Sequence, residues 1–425
     1  MASIGLFCQP ETGHLNPTVA LGAELARRGH AVSLYSVPDA APAAARAGLG
    51  FVGLGHAHFP AGAADARERE LATLSGVAAA VRSGYWTGRY AEAVLADAAD
   101  RLAAHPVDLL LIDQIDVAAH TVAGHLGLPF VTIALCLIMN ADEHQPVWSV
   151  EPTPDPPALT RNNRHWQVVF ENLYRPQVDR LNAWRARHGR GPLAGLAALW
   201  STAAQISQEP EGFDFPRRLP PGFHFAGPFS SRHARRQVDF PWERLGRRPL
   251  VYAAFGSLVN GDLERARAVA RASADLDVQL VLSLGGAGRV EDVTGLAGDA
   301  IVVPYAPQLA LLERASVMIT HAGLNSVLEC LSAGVPMVAV PITNDEFAIG
   351  ARIAWNGTGL VVPADRCTPE ALGAALATVL GDPRYREAAR RFQAVIARRP
   401  GVERAADVVE GVLAREVPRV PQVPE

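Results

Sequence analysis

Residues 316–329 read SVMITHAGLNSVLE, and the fold is decided by how that stretch divides. Ser316, Val317, Met318 and Ile319 form an apolar run that reads as a buried strand. Beyond Thr320, Leu324, Val327, Leu328 and Leu331 recur at i, i+3, i+4 and i+7, the spacing of a helix with one face in a core. A strand that hands over to a helix within one tight loop is half of a βαβ unit. Four polar residues, His321, Asn325, Ser326 and Glu329, stand at the handover. The helical period places Asn325, Ser326 and Glu329 together at the positive end of the helix, where a polar or anionic partner is expected.

The same alternation runs outward in both directions. Ile4–Cys8, Ala31–Ser36, Leu109–Asp113 and Phe130–Ala134 read as strands separated by helical patterns. A second series runs through Leu250–Ser257, Gln279–Gly285, Ile301–Val303, Val317–Thr320, Pro336–Val340 and Gly359–Val362. The fold class is therefore α/β, with two Rossmann-like, doubly wound parallel domains facing across a cleft. Residues 227–249, rich in Arg, Pro and Ser, have linker composition. The expected organisation is an N-terminal domain over 1–226, that linker, and a C-terminal domain over 250–400. A helix over 401–416 is expected to pack back toward the N-terminal domain, followed by a Pro-rich tail over 417–425.

The 425 residues suffice for two cores, and a net charge of −4 gives no reason to expect nucleic acid as a partner. Every basic side chain other than histidine is Arg. Without lysine, neither a Walker-type phosphate loop nor a pyridoxal-phosphate Schiff base can be built. Cys8, Cys136, Cys330 and Cys367 have neither zinc spacing nor a disulfide pattern, which fits a reducing cytoplasm. No apolar run approaches the ~18 residues of a membrane span, so at most peripheral membrane contact is expected.

In open α/β sheets, ligands sit beyond the carboxyl ends of the strands. After the first strand, Asn16-Pro17 reads as a helix N-cap and first helical position, which holds His14 just ahead of that helix. His14 is either a loop histidine or a general base, since imidazole titrates near pH ~6.5. Asp113 ends the third strand of the first series, where it could fix the imidazole tautomer; Asp116, one turn on, is better placed to cap the next helix. On the other side, the start of the 324 helix is a site for an anion such as a diphosphate, with Glu329 placed to accept from ribose hydroxyls. Capping alone accounts for one of Asn325 and Ser326 and leaves Glu329 and His321 unexplained.

Tyr305 to Glu346, read as YAPQ, then HAGLNSVLE, then GVPMVAVPITNDE, resembles the donor signature of family 1 glycosyltransferases, which use nucleotide sugars in a two-domain fold called GT-B. GHLNP, LIDQ and FDFPR followed by GPF are most similar to the bacterial branch that includes zeaxanthin glucosyltransferases. The resemblance implies that Tyr305 stacks on uracil and that Gln308 and Glu329 hold the ribose. It implies that His321, Gly323, Asn325, Ser326 and Ser257 surround the diphosphate, that His14 is the catalytic base with Asp113 as its partner, and that Asp345 binds sugar hydroxyls. Glu346 departs from the usual Gln, so that two carboxylates are expected to face the sugar and to disfavour a donor carrying its own acid.

The expected activity is inverting, metal-independent transfer from a UDP-sugar, UDP-glucose favoured, to a hydroxyl of a hydrophobic small molecule such as a carotenoid, polyketide or phenol. Tyr85, Trp86, Leu137, Met139 and Trp148 are the expected acceptor contacts, and no cofactor is called for beyond the UDP-sugar as co-substrate. The chain is expected to be a monomer or weak dimer. The rivals are a silent nucleotide-sugar-binding protein and a sugar-nucleotide epimerase or hydrolase of the same fold. NAD-dependent chemistry lacks its G-x-G-x-x-G after either first strand.

Overall fold

The computed structural model describes residues 1–74, 76–142, 145–153, 159–230, 238–256, 263–285 and 290–416. Ser257, part of the 227–249 segment (231–237) and the tail 417–425 lie outside the described residues.

Among the described residues the first sheet has seven parallel strands: β1 (Ser3–Phe7), β2 (Ala31–Ser36), β3 (Gly50–Gly53), β4 (Leu109–Asp113), β5 (Phe130–Ala134), β6 (Gln205–Ser207) and β7 (Phe223–Phe225), in the order β3-β2-β1-β4-β5-β6-β7. Its helices are α1 (Thr12–Arg27), α2 (Ala41–Arg46), α3 (Ala63–Leu71), α4 (Gly76–Ala104), α5 (Val117–Leu126) and α6 (Arg161–Arg187). The second sheet holds β8 (Leu250–Ala254), β9 (Gln279–Ser283), β10 (Ile301–Val303), β11 (Ala315–Thr320), β12 (Met337–Ala339) and β13 (Gly359–Val361), ordered β10-β9-β8-β11-β12-β13. With it come α7 (Leu263–Ala274), α8 (Gln308–Leu312), α9 (Leu324–Ala333), α10 (Glu346–Trp355), α11 (Pro369–Gly381), α12 (Pro383–Ile396) and α13 (Gly401–Glu416).

Strands such as LLLID in β4 and LVYAA in β8 are buried at every residue, because helices cover both faces of a parallel sheet. The strand order reverses between β1 and β4 in one sheet and between β8 and β11 in the other, and those two switch points place the site. Phe7 pairs with Ile112, so the chain leaving β1 toward His14 emerges beside Asp113. Ala254 pairs with Thr320, so Gly256 and His321 emerge together.

Two elements tie the halves together. The last helix, α13, crosses back to the first sheet, where Val409, Val412 and Leu413 share a core with Leu21 and Leu25 of α1. Arg28 reinforces that seam through Asp407 at 2.9 Å and Glu410 at 2.8 Å. On the other side, the fully buried Arg352 of α10 reaches Asp214 Oδ1 at 2.7 Å and the Ser149 carbonyl at 2.7 Å, and lies over the Phe215 ring. A buried guanidinium is tolerated only with such full pairing. No described helix is long and apolar enough to cross a membrane.

One local reading needs correction. Helix α1 begins at Thr12 with Glu11 as its N-cap, and Pro17 lies inside it. Asn16 is therefore not a cap, and His14 sits in the first turn of the helix rather than ahead of it. Proline is harmless here for a different reason: the hydrogen bond it cannot make would have gone to the Gly13 carbonyl, and that carbonyl has another partner.

Candidate active site

A cavity of about 570 Å³ lies where the carboxyl ends of the two sheets face each other. On one wall, His14 Nδ1 and Asp113 Oδ2 are 2.6 Å apart, with Asp113 fully buried and the His14 side chain 17% exposed. Nδ1 faces the carboxylate, which leaves Nε2 as the nitrogen a substrate hydroxyl can meet. Burial alone would depress this imidazole; the charge and hydrogen bond of Asp113, with the charge of Asp345, outweigh burial and raise it above its ordinary value. Asp116 is spoken for elsewhere: its Oδ1 accepts the Ala119 N–H as the α5 cap, and its Oδ2 accepts the Tyr90 hydroxyl.

The opposite wall is built from the loops after β10, β11 and β12. Gln308 Nε2 donates to Glu329 Oε2 at 2.8 Å and to Ser326 Oγ at 3.3 Å, and its Oε1 accepts the Tyr252 hydroxyl at 3.0 Å. Tyr252, on β8, was not singled out from the sequence, because an aromatic within a buried strand carries no signal that separates it from core. The N-cap of α9 is Gly323, without a side-chain cap bond, so capping explains neither Asn325 nor Ser326. Gly323, Leu324, Asn325 and Ser326, at the start of α9 where backbone amides lack intrahelical partners, line the cavity. His321 is wedged between Gly256 and Gly323, where a Cβ at either position would run into its ring. Burial pushes His321 down to about 4, so at neutral pH it is an uncharged imidazole. Ala322 and Asn344, in the loops after β11 and β12, have φ of 70° and 52°, values rare outside glycine and costly enough to mark a shaped site. Tyr305 lines the cavity while 38% exposed.

Asn325 spans the cleft. Its Nδ2 donates to the Gly13 carbonyl at 2.6 Å, the one that Pro17 leaves free, and its Oδ1 accepts Gln208 Nε2 at 2.9 Å. Asp345 also reaches across, accepting the Leu137 N–H at 3.3 Å, and burial raises it above the usual carboxylate range.

Glu346 changes the reading of the sugar end. Its Oε2 accepts the N–H groups of Ile342 at 2.7 Å and Thr343 at 2.9 Å, fastening the loop ahead of α10. Burial outweighs those two amides and pushes it up to about 8. At neutral pH it therefore carries a proton and can donate as well as accept, as the usual Gln does. Burial thus disfavours the second charge that the sequence led us to expect beside Asp345.

Of the expected acceptor contacts, Met139 and Trp148 line the cavity; Tyr85, Trp86 and Leu137 do not. Trp86 turns toward α3, with its indole N–H on Glu70 Oε2 at 2.8 Å, and Tyr85 stacks edge-on against it under Arg82. The face of α4 that reaches the cavity carries Ala79, Ser83, Gly84 and Thr87 instead. Leu137 contributes its backbone N–H to Asp345, not its side chain. Ser257 lies outside the described residues.

Residues 196–413 match the family model described as UDP-glucoronosyl and UDP-glucosyl transferase. The chain is 27% identical to a zeaxanthin glucosyltransferase of Pantoea ananas over 98% of its own length and 97% of that protein's. To another from Pseudescherichia vulneris it is 31% identical, over 72% and 74%. Among solved structures it resembles the glycosyltransferase of kitacinnamycin (TM-score 0.76, 24% identity, 97% and 98% covered) and CalG4, the calicheamicin glycosyltransferase (TM-score 0.73, 24%, 98% and 100%). The two Rossmann-like sheets facing across a cleft are thus the GT-B fold, and the chain belongs to the UDP-glucoronosyl and UDP-glucosyl transferase family.

Proposed function

We propose that this glycosyltransferase moves glucose from UDP-glucose to a hydroxyl of a largely apolar small molecule, with inversion at the anomeric carbon. The observation that carries the reading is the 2.6 Å His14–Asp113 pair set across one cavity from the Gln308–Glu329 pair. His14 Nε2 takes the proton of the acceptor hydroxyl. The oxygen attacks the anomeric carbon as the bond to the diphosphate breaks, and Asp113 stabilises the imidazolium that results. Base and donor stand on opposite walls, which supports attack from the face opposite the leaving group.

The departing diphosphate collects charge at the start of α9, where backbone amides and an uncharged His321 N–H can meet it. Glu329 accepts from the ribose hydroxyls with Gln308 beside it, and Tyr305 covers the uracil. A relative in fold, VinC, was solved with dTDP, so the nucleotide is a matter for test. The carboxyl of Glu329 favours a ribose with both hydroxyls, hence UDP. A metal is not part of this reading, and the scattered spacing of the four cysteines suits a reducing cytoplasm.

The test is transfer itself. Purified protein, UDP-glucose and a panel of phenolic, polyketide and carotenoid alcohols, followed by mass spectrometry, should give acceptor plus one hexose, with the β-linked product by NMR and no loss of activity in EDTA. Release of free glucose at the same rate with and without acceptor would make the protein a hydrolase instead.

A further inference from the structure

The acceptor side of the cavity is not uniformly apolar. Beside Leu71, Met139, Trp148 and Leu173, it is lined by Glu11, Arg67 and Gln177. These three come from three separate elements: the N-cap of α1, the middle of α3 and the middle of α6. All are more than nine-tenths buried, at 7%, 5% and 3% exposed. Arg67 Nη1 and Glu11 Oε1 form an ion pair. Glu11 Oε2, Arg67 Nε and Gln177 Oε1 have no hydrogen-bond partner. Buried polar atoms are nearly always paired, and a wall meant only for hydrocarbon has no use for three that are not.

Their chemistry defines what fits. Two of the open atoms accept, Glu11 Oε2 and Gln177 Oε1, and one donates, Arg67 Nε. The glutamate and the arginine cancel in charge, and burial lowers Arg67 only to about 10, so the guanidinium stays charged at neutral pH. A neutral group that both donates and accepts, a hydroxyl above all, completes the set; a carboxylate or an ammonium leaves one side repelled. The position is also informative. Glu11 is the N-cap of the helix whose first turn carries His14, and its carbonyl accepts the His14 N–H at 2.9 Å, so the two side chains start from one turn of chain.

Resting on the acceptor reading above, we propose that Glu11, Arg67 and Gln177 form a polar subsite that binds a second hydroxyl of the acceptor, near the hydroxyl that His14 deprotonates. The acceptor is then a compact molecule carrying at least two oxygen functions, such as a polyphenol or an oxygenated polyketide, rather than a hydrocarbon with a single hydroxyl at the reacting end.

A matched pair of probes tests this: 2-naphthol and 1,3-dihydroxynaphthalene, which adds one hydroxyl to the same skeleton. With UDP-glucose as donor, kcat/KM per hydroxyl should favour the diol by about 10-fold or more, since a site built to pair a hydroxyl rejects the analogue that lacks it. Calorimetry on UDP-saturated protein should show the same order of Kd. Gln177→Leu should bring the ratio to within about 3-fold of unity. So should the paired Glu11→Leu/Arg67→Met variant, which removes both charges together and leaves no lone buried ion.

Equal kcat/KM and equal Kd for the two probes overturn the subsite, as does a preference that survives in both variants, or a diol that fails to bind. A diol that binds more tightly yet receives no glucose supports the subsite and breaks the transfer reading, so the two claims fail separately.

Discussion

The two walls of the cleft are assembled in opposite ways. The donor wall comes from residues 305–346, on loops that follow three successive strands, β10, β11 and β12. The acceptor wall collects Glu11, His14, Arg67, Ser83, Asp113, Met139, Trp148 and Gln177 from the N-cap and first turn of α1, the end of β4, the segment after β5 and the flanks of α3, α4 and α6. The wall proposed to meet the nucleotide is made of loops whose position follows from strand order alone. The wall proposed to meet the acceptor is made largely of helix faces whose rotation is set by packing far from the site. The first kind of wall can be written in one short run of sequence and the second cannot.

If the walls divide the work, damage to each should show in a different measurement. The largest effect belongs to the acceptor wall: His14→Ala should lower kcat by ~10²–10⁴ and leave the UDP Kd, read by calorimetry, within about 2-fold of wild type. Asp113→Asn should lower kcat by a comparable or smaller factor, and its pH profile separates the roles further. Asp113 raises the imidazole, so the rising limb of kcat/KM in wild type lies above the ordinary histidine value. In Asp113→Asn that limb should move to lower pH, because burial, which disfavours the imidazolium, is then opposed only by the charge of Asp345, the smallest of the influences on it. A limb that stays in place would detach Asp113 from the base.

On the donor wall, Glu329→Ala should weaken UDP by ~1.5–3 kcal/mol, roughly 10–150-fold, as two ribose hydroxyls lose an acceptor. Thymidine diphosphate, with no 2′-hydroxyl, should lose less. Equal losses for the two nucleotides would move Glu329 from ribose contact to mere support of Gln308, its partner at 2.8 Å.

The same contrast explains what could be read from the chain. Both sheets were legible wherever a strand was long and wholly buried, as in β4 or β8. The strands β3 (GFVG), β6 (QIS) and β7 (FHF) escaped because Gly, Gln, Ser or His interrupts them and leaves no apolar run, unlike the equally short IVV of β10 and MVA of β12. The placement of residues 321–329 was legible because a strand, a tight loop and a helix start fix their geometry locally. Tyr85 and Trp86 were misplaced because aromatic character says nothing of helix rotation: the period puts Ser83 and Thr87 on the cavity face and sends Trp86 to Glu70. The Glu11–Arg67 pair was invisible because 56 positions of chain separate its members and only the packing of α3 on the cleft joins them. Asn16-Pro17 misled for a subtler reason. A proline usually marks a helix start, but here the carbonyl it strands is taken by Asn325, a residue of the other wall.

That bond is the place where the comparison can be sharpened, since it belongs to both walls. Pro17→Ala restores an N–H that competes with Asn325 Nδ2 for the Gly13 carbonyl. Losing one neutral hydrogen bond of about 1 kcal/mol should lower kcat by roughly 5-fold, through a looser register between His14 and the donor, while UDP binding stays within about 2-fold. Thermal stability should not fall with it, because an alanine inside a helix is itself favourable. A variant with unchanged kcat would make the Asn325–Gly13 contact incidental to turnover.

The smallest effect is expected at Glu346, and it depends on pH. The carboxyl keeps its proton up to about 8, so near neutrality Glu346→Gln exchanges one group that donates and accepts for another. Both also accept the Ile342 and Thr343 amides. At pH 6.5 the ratio of kcat/KM for UDP-glucose to that for UDP-glucuronic acid should therefore agree between wild type and variant within about 2-fold. Above pH 8 the wild-type side chain ionises and can no longer donate. A carboxylate then stands beside Asp345, and a donor bearing its own acid meets like charge in a desolvated site. The wild-type ratio should climb with pH there, while the ratio in Glu346→Gln stays flat, because the amide does not titrate. Steady-state kinetics with both donors at pH 6.5, 7.5 and 8.5 would show the divergence. A difference already present at pH 6.5 and constant across the range would mean that Glu346 is ionised throughout, and that the donor wall reads charge at this position instead of hydrogen bonding.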